Sequence, residues 1–177
     1  MKGFGRNLRR GLDLLYLTGG AIAAGFLVLL LMLILLQMAA RWSGFGFPGS
    51  TEYAGYAMAA ASFFALAYTL NRGGHIRVSL LLSRLGRFRY FGEVWCFAIG
   101  TALTCYLAWY AIRGVAWSRQ LGDVSQGQDA TPLWIPQLAM AAGSILLAIA
   151  FVDNLVRLLA FGAHGIEADP LEESHAE

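Results

Sequence analysis

Four stretches of this 177-residue chain contain no Asp, Glu, Lys, Arg or His: Leu14–Ala40, Tyr53–Leu70, Val94–Ile112 and Leu133–Val152. A carrier that couples a solute to protons or sodium keeps an ionisable or unwound polar site near mid-membrane, where the coupling ion is held. The residues for that work are missing here. Gln37, Thr101 and Thr104 are among the strongest polar groups in the stretches, and a threonine hydroxyl can bond its own helix backbone. All three histidines, His75, His164 and His175, lie outside them, which removes the facing axial ligands of a four-helix membrane cytochrome. The two cysteines, Cys96 and Cys105, share one run. At nine residues they stand about 13 Å apart on opposite sides of a helix and cannot bridge without backbone movement. No Cys/His pair has metal spacing, no glycine loop follows a strand, and no Ser/His/Asp set assembles. The expectation is a chain with no catalytic residue, no cofactor and no metal.

What is present is apolar. Hydrophobic residues make up 58% of the chain and mean hydropathy is +0.57, more than a small soluble core can hide. Each uncharged run is long enough to cross roughly 30 Å of hydrocarbon as a helix, and none alternates as a lumen-facing barrel strand does. Lys2, Arg6, Arg9 and Arg10 followed by an apolar run resemble a secretory signal, but the run continues to Ala40, far beyond the roughly 7–15 residues of a signal core. The fold expected is an all-α integral membrane protein with four transmembrane helices in a domain over 1–162. Residues 163–177 form an acidic tail whose composition is that of a disordered segment.

Basic residues orient these spans. Ten Lys/Arg lie at the N-terminus, in the central stretch 71–93 and at Arg157; only Arg41, Arg113 and Arg119 lie on the other side. Both termini are therefore expected in the cytoplasm, with Trp42–Glu52 and Gly114–Pro132 outside. Within the central stretch, Val78, Leu81, Leu82, Leu85 and Phe88 fall on one side of a helix and Arg77, Arg84 and Arg87 on the other, although Ile76 and Leu80 interrupt the polar face. That is the pattern of an amphipathic helix in the plane of the inner leaflet, with anionic or zwitterionic lipid headgroups as partners and a bound phospholipid as a further expectation. A membrane surface accounts for the basic groups, so no nucleic acid is implied.

Local signals mark the helix ends. Ser50 or Thr51 can cap the second span, with Glu52 in its first turn, where a carboxylate suits the dipole. Thr131 can cap the fourth, with Pro132 at the first helical position, Trp134 at interface depth and Pro136 within the first turn, where no amide hydrogen is required. Small residues cluster in the first, second and fourth spans, where they allow close helix packing within the chain or against another protein.

These residues resemble a known family. Arg41, the Pro48–Glu52 entry to the second span, the run Gly74-His-Ile-Arg-Val78 and Thr131-Pro-Leu-Trp-Ile-Pro136 together are similar to the small membrane subunit of tripartite ATP-independent periplasmic (TRAP) transporters, the DctQ-like family. The resemblance covers roughly Leu12 to Leu159. It implies a scaffold subunit beside a large multispanning subunit that carries the substrate and sodium sites and moves as an elevator, fed with an organic anion by a periplasmic substrate-binding protein. Interface residues on this reading are Arg41, Glu52, Tyr53, Gly74, His75, Arg77, Arg84, Arg87, Pro132 and Pro136. Ser79 departs from the family pattern, where an acidic residue is common. Two other classes stay open: the membrane anchor of a redox enzyme, and a small self-assembling transporter.

Overall fold

In hydrocarbon a backbone must satisfy its own hydrogen bonds, and an uncharged run does so as a helix. The computed structural model describes residues 2–72 and 89–161. They form four helices, α1 (Lys2–Trp42), α2 (Ser50–Asn71), α3 (Arg89–Leu121) and α4 (Trp134–Phe161), each long and apolar enough to cross a membrane. The expected amphipathic helix between spans two and three and the acidic tail lie outside the described residues.

Every helix outruns its uncharged core. α1 has 41 residues and α3 has 33, about 60 and 50 Å at 1.5 Å per residue. The expected outer loop Gly114–Pro132 is therefore helical as far as Leu121, because nothing before Gly122 stops it. Gly122 takes a φ of 67°, and the Asp123 amide donates back to the Ser118 carbonyl at 3.0 Å, a left-handed helix end. α1 closes the same way: Gly44 has φ 76°, and the Phe45 amide reaches the Ala40 carbonyl at 3.0 Å.

Both capping expectations are corrected. The cap of α2 is Gly49, at φ 78° and with no side-chain hydrogen bond, and Ser50 is already helical. A Cβ at Gly49 would also stand 2.9 Å from the Asp129 Cβ, so neither hydroxyl residue could take the place. α4 begins at Trp134, and Pro132 instead pairs with Val124 in an isolated antiparallel bridge. The Leu133 amide donates to the Asp123 carbonyl at 3.0 Å and holds that loop shut. Glu52 and Pro136 do fall in the first turns of their helices.

The helices stand in a row rather than a closed bundle. α1 packs on α2, α2 on α4 and α4 on α3; α1 touches α4 lightly, and α3 makes no comparable contact with α1 or α2. Close approach comes from small residues, as expected of helices in lipid. A Cβ at Gly143 of α4 would lie 2.6 Å from the Phe63 carbonyl carbon of α2, and one at Gly20 of α1 would lie 2.9 Å from the Tyr68 ring of α2. Gly100 of α3 faces the Phe151 ring of α4. On α3 the buried residues Phe97, Thr104, Ala108 and Ser118 recur at helical spacing. One stripe of each edge helix is buried, and the remainder of each is open.

Candidate partner and lipid interface

The row gathers its polar groups at two ends and leaves two apolar edges. At the end formed by the α1–α2 and α3–α4 connections, Glu52 packs directly on Gly127 of the later loop. One turn further along α2, Tyr56 donates its hydroxyl to Oδ2 of Asp129, two residues past Gly127, at 3.3 Å. The Thr131 hydroxyl, followed by the Ser125 hydroxyl, the backbone and Tyr56, holds the Asp129 carboxyl below its ordinary value, against a smaller opposing effect of desolvation. Tyr53 is exposed, edge-on to Tyr56 with ring centroids 6.3 Å apart. This loop is thus clasped to the start of α2 by groups of the same chain.

Arg41 is exposed in the last turn of α1, in an open cleft with Gln37, Phe45, Phe47 and Ser50. Arg113 lies over the Trp117 ring at 5.3 Å and Arg119 over Trp134 at 5.8 Å, so both cations fold back on aromatic faces. Of the interface residues read from the sequence, Arg41, Glu52, Tyr53, Pro132 and Pro136 thus collect at one end. Gly74, His75, Arg77, Arg84 and Arg87, with Ser79, lie outside the described residues.

At the opposite end the sequence singles out only Asp153 and Arg157, spaced to pair along one helix face. There Arg9, Arg10 and Asp13 of α1 meet Asn71 and Arg72 of α2 and Asp153 and Arg157 of α4 around a cleft. Arg9 pairs with Asp13 at 3.8 Å and Arg157 with Asp153 at 4.0 Å; both have the i,i+4 spacing that brings side chains together along one helix, and the second has the favoured order, acid before base. Asn154, wholly buried, donates to Asn71 Oδ1 at 2.9 Å and to the Ala150 carbonyl at 2.9 Å. Asn71 and Asn154 fall just past the ends of their uncharged runs, which is why a search confined to those runs passes over them.

Between the ends, hydroxyls bond their own helices. Thr104 donates to the Gly100 carbonyl and Ser144 to the Met140 carbonyl, each at 2.8 Å, whereas the buried Thr101 hydroxyl and Gln137 Oε1 find no partner among the described residues. The outer edges differ in kind. α1 exposes aliphatic residues, among them Leu27, Leu31, Leu35 and Leu36; α3 exposes Phe91, Trp95, Tyr106, Tyr110 and Trp117 on the side opposite Phe97 and Thr104.

No group of three or more acidic, histidine or cysteine side chains that could hold a metal occurs among the described residues. Long apolar helices with charged groups only towards their ends define a multi-pass membrane protein. Its family follows from a direct comparison: the model of the DctQ component of tripartite ATP-independent periplasmic transporters matches residues 30–161, three quarters of the chain. The protein belongs to the DctQ family, a bacterial inner-membrane component of TRAP transporters that works with a large membrane subunit and a periplasmic binding protein. No curated protein and no solved structure matches the chain.

Proposed function

We propose that this chain is a non-catalytic bracing subunit, packed against the large transport subunit as part of its static scaffold in sodium-coupled, elevator-type uptake of an organic anion such as a carboxylate, dicarboxylate or sugar acid. The observation that carries this reading is the absence of Asp, Glu, Lys, Arg and His from the four membrane-spanning runs. A subunit with nothing to hold a driving ion at mid-depth acts through its surfaces. It needs no cofactor of its own.

In this reading both termini are cytoplasmic, as the ten-to-three split of Lys/Arg supports. Segment 73–88 lies on the inner leaflet with its arginines toward lipid headgroups, and the loop carrying Asp129, clasped to Glu52 and Tyr56 of α2, faces the periplasm, where the binding protein docks on the complex.

The edge that meets the large subunit is α3. The Tyr106 and Tyr110 rings pack at a tilt of 43°, centroids 4.5 Å apart, near the middle of that helix, exposed on its outer side. Lipid tails offer phenol hydroxyls no hydrogen-bonding partner, whereas a protein neighbour does; the aliphatic edge of α1 suits lipid. The test is a pull-down of the tagged chain from its native membrane in mild detergent. A large multispanning protein, identified by mass spectrometry and present in equal proportion, is the expected result; its consistent absence would contradict the proposal.

A further inference from the structure

At the end that carries the two connections, Arg113 and Arg119 fold back on tryptophan rings. Arg41, by contrast, makes no ion pair and no ring contact among the described residues. It lines a cleft of about 450 Å³ formed by the last turns of α1, the bend at 44–47 and the first residue of α2, and no Asp or Glu is on that lining.

The other polar groups of the cleft are donors without an acceptor. Ser50 is only 4% exposed. Its hydroxyl makes no hydrogen bond among the described residues, and its amide, the first of α2, reaches no carbonyl either. The cause is local, because Gly49 brings no side chain to cap this turn. Gln37, one turn of α1 before Arg41, adds an exposed carboxamide. A cation and a buried, unpaired hydroxyl sharing one acid-free cleft mark the place of an anion.

The surroundings select among anions. Leu27, Leu31, Ile34 and Met38 recur at helical spacing on the side of α1 that carries Arg41, and all are exposed. Arg41 directly follows the uncharged run, and Trp42 and Phe45 beside it are 85% and 75% exposed, as aromatic residues are at a membrane–water boundary. The donors thus sit at headgroup depth, above an aliphatic stripe roughly 17 Å long.

We infer that this cleft binds the phosphate of one phospholipid from the leaflet at this end. The phosphate oxygens accept from the Arg41 guanidinium and from the Ser50 hydroxyl and amide, and an acyl chain lies along Met38, Ile34, Leu31 and Leu27. Guanidinium–phosphate contacts are charge-assisted and among the stronger hydrogen bonds available. Free phosphate, or a carboxylate of a protein partner, would meet the same donors but leave the stripe unused. The inference requires only that α1 cross a membrane, so its failure would leave the transport proposal standing.

Photo-cross-linking tests it. The full-length chain in detergent receives an equimolar amount of phosphatidylglycerol carrying a diazirine in one acyl chain, and the adducts are located by peptide mass spectrometry. Adducts on residues 27–38 are expected. Arg41→Gln should lower their yield about tenfold and Ser50→Ala about threefold. Arg113→Gln, which removes the same charge at the same end, should leave it unchanged. Arg41 is exposed and the Ser50 hydroxyl bonds nothing in the chain, so both variants should melt as the wild type does, separating lost binding from lost fold. Excess inorganic phosphate should not suppress the adducts. Equal yields from wild type and Arg41→Gln would overturn the inference. So would suppression by phosphate, which would leave an anion site only, or an equal loss in Arg113→Gln, which would reduce the effect to net charge. Unchanged adducts together with loss of the large subunit from the Arg41→Gln pull-down would assign the cation to a protein partner instead.

Discussion

Asn154 Nδ2 donates to Asn71 Oδ1 at 2.9 Å, joining α4 to α2 across 83 residues of sequence. The bond sits where the charge-free runs stop, beside the Arg157–Asp153 pair, and ties the two central helices of the row at one end. Replacing either asparagine by Ala should destabilise the detergent-solubilised protein. A double-mutant cycle should return a coupling of about 0.5–1.5 kcal/mol, measured by unfolding in sodium dodecyl sulfate titration. Additive single mutants would show the bond to be energetically idle.

Glycine positions should divide sharply. Gly143→Ala places a methyl 2.6 Å from the Phe63 backbone, which has no rotamer by which to yield. The α2–α4 contact should therefore open at a cost of about 1–3 kcal/mol. Gly55→Ala meets nothing within 4 Å and should be neutral or stabilising by up to about 1 kcal/mol, since alanine is the better helix former. The same unfolding titration reports both.

The Tyr56–Asp129 clasp should weaken in acid. Because hydrogen bonding lowers the Asp129 carboxyl below its ordinary 3.8, its stabilising contribution is complete above that value and is lost as pH falls through the lower folded-state value. Amide exchange across 122–133 should therefore be insensitive to this group from neutral pH to about 5 and accelerate below about 4. Asp129→Asn should exchange faster at neutral pH and lose the acid step. A variant that kept the acid step would assign it to another carboxyl.

The outer side of α3 should be the one covered in the complex. A single cysteine at Ala102, exposed between Trp95 and Tyr106, should cross-link to the large subunit in membranes when Cys96 and Cys105 are replaced by Ser. A cysteine at Leu27, exposed on α1, should not. The reverse pattern would move the contact to the other edge.

Much of this was readable from residue types alone, and the exceptions share a cause. The four spans, the first-turn places of Glu52 and Pro136 and the self-bonded Thr104 all follow from local chemistry. The row order α1, α2, α4, α3 does not, because helices that are apolar all round carry little contrast between a side facing protein and a side facing lipid. Small residues were the better guide, but only in part: Gly19 and Ala23 are buried against neighbours, while Ala21, Ala24 and Gly25 of the same cluster are exposed. The cap at Gly49 was missed because what selects glycine there is Asp129, eighty positions later. The cleft around Arg10 and Tyr16 is assembled from three helices, and no single segment announces it.

The central claim is that the membrane interior of this subunit holds no driving ion. Solute uptake into liposomes measures that directly, comparing the chain alone with the chain together with its large subunit and binding protein, under an imposed sodium gradient. Uptake by the three-component system and none above empty liposomes for the chain alone is the predicted result; gradient-driven accumulation by the lone chain would contradict the account.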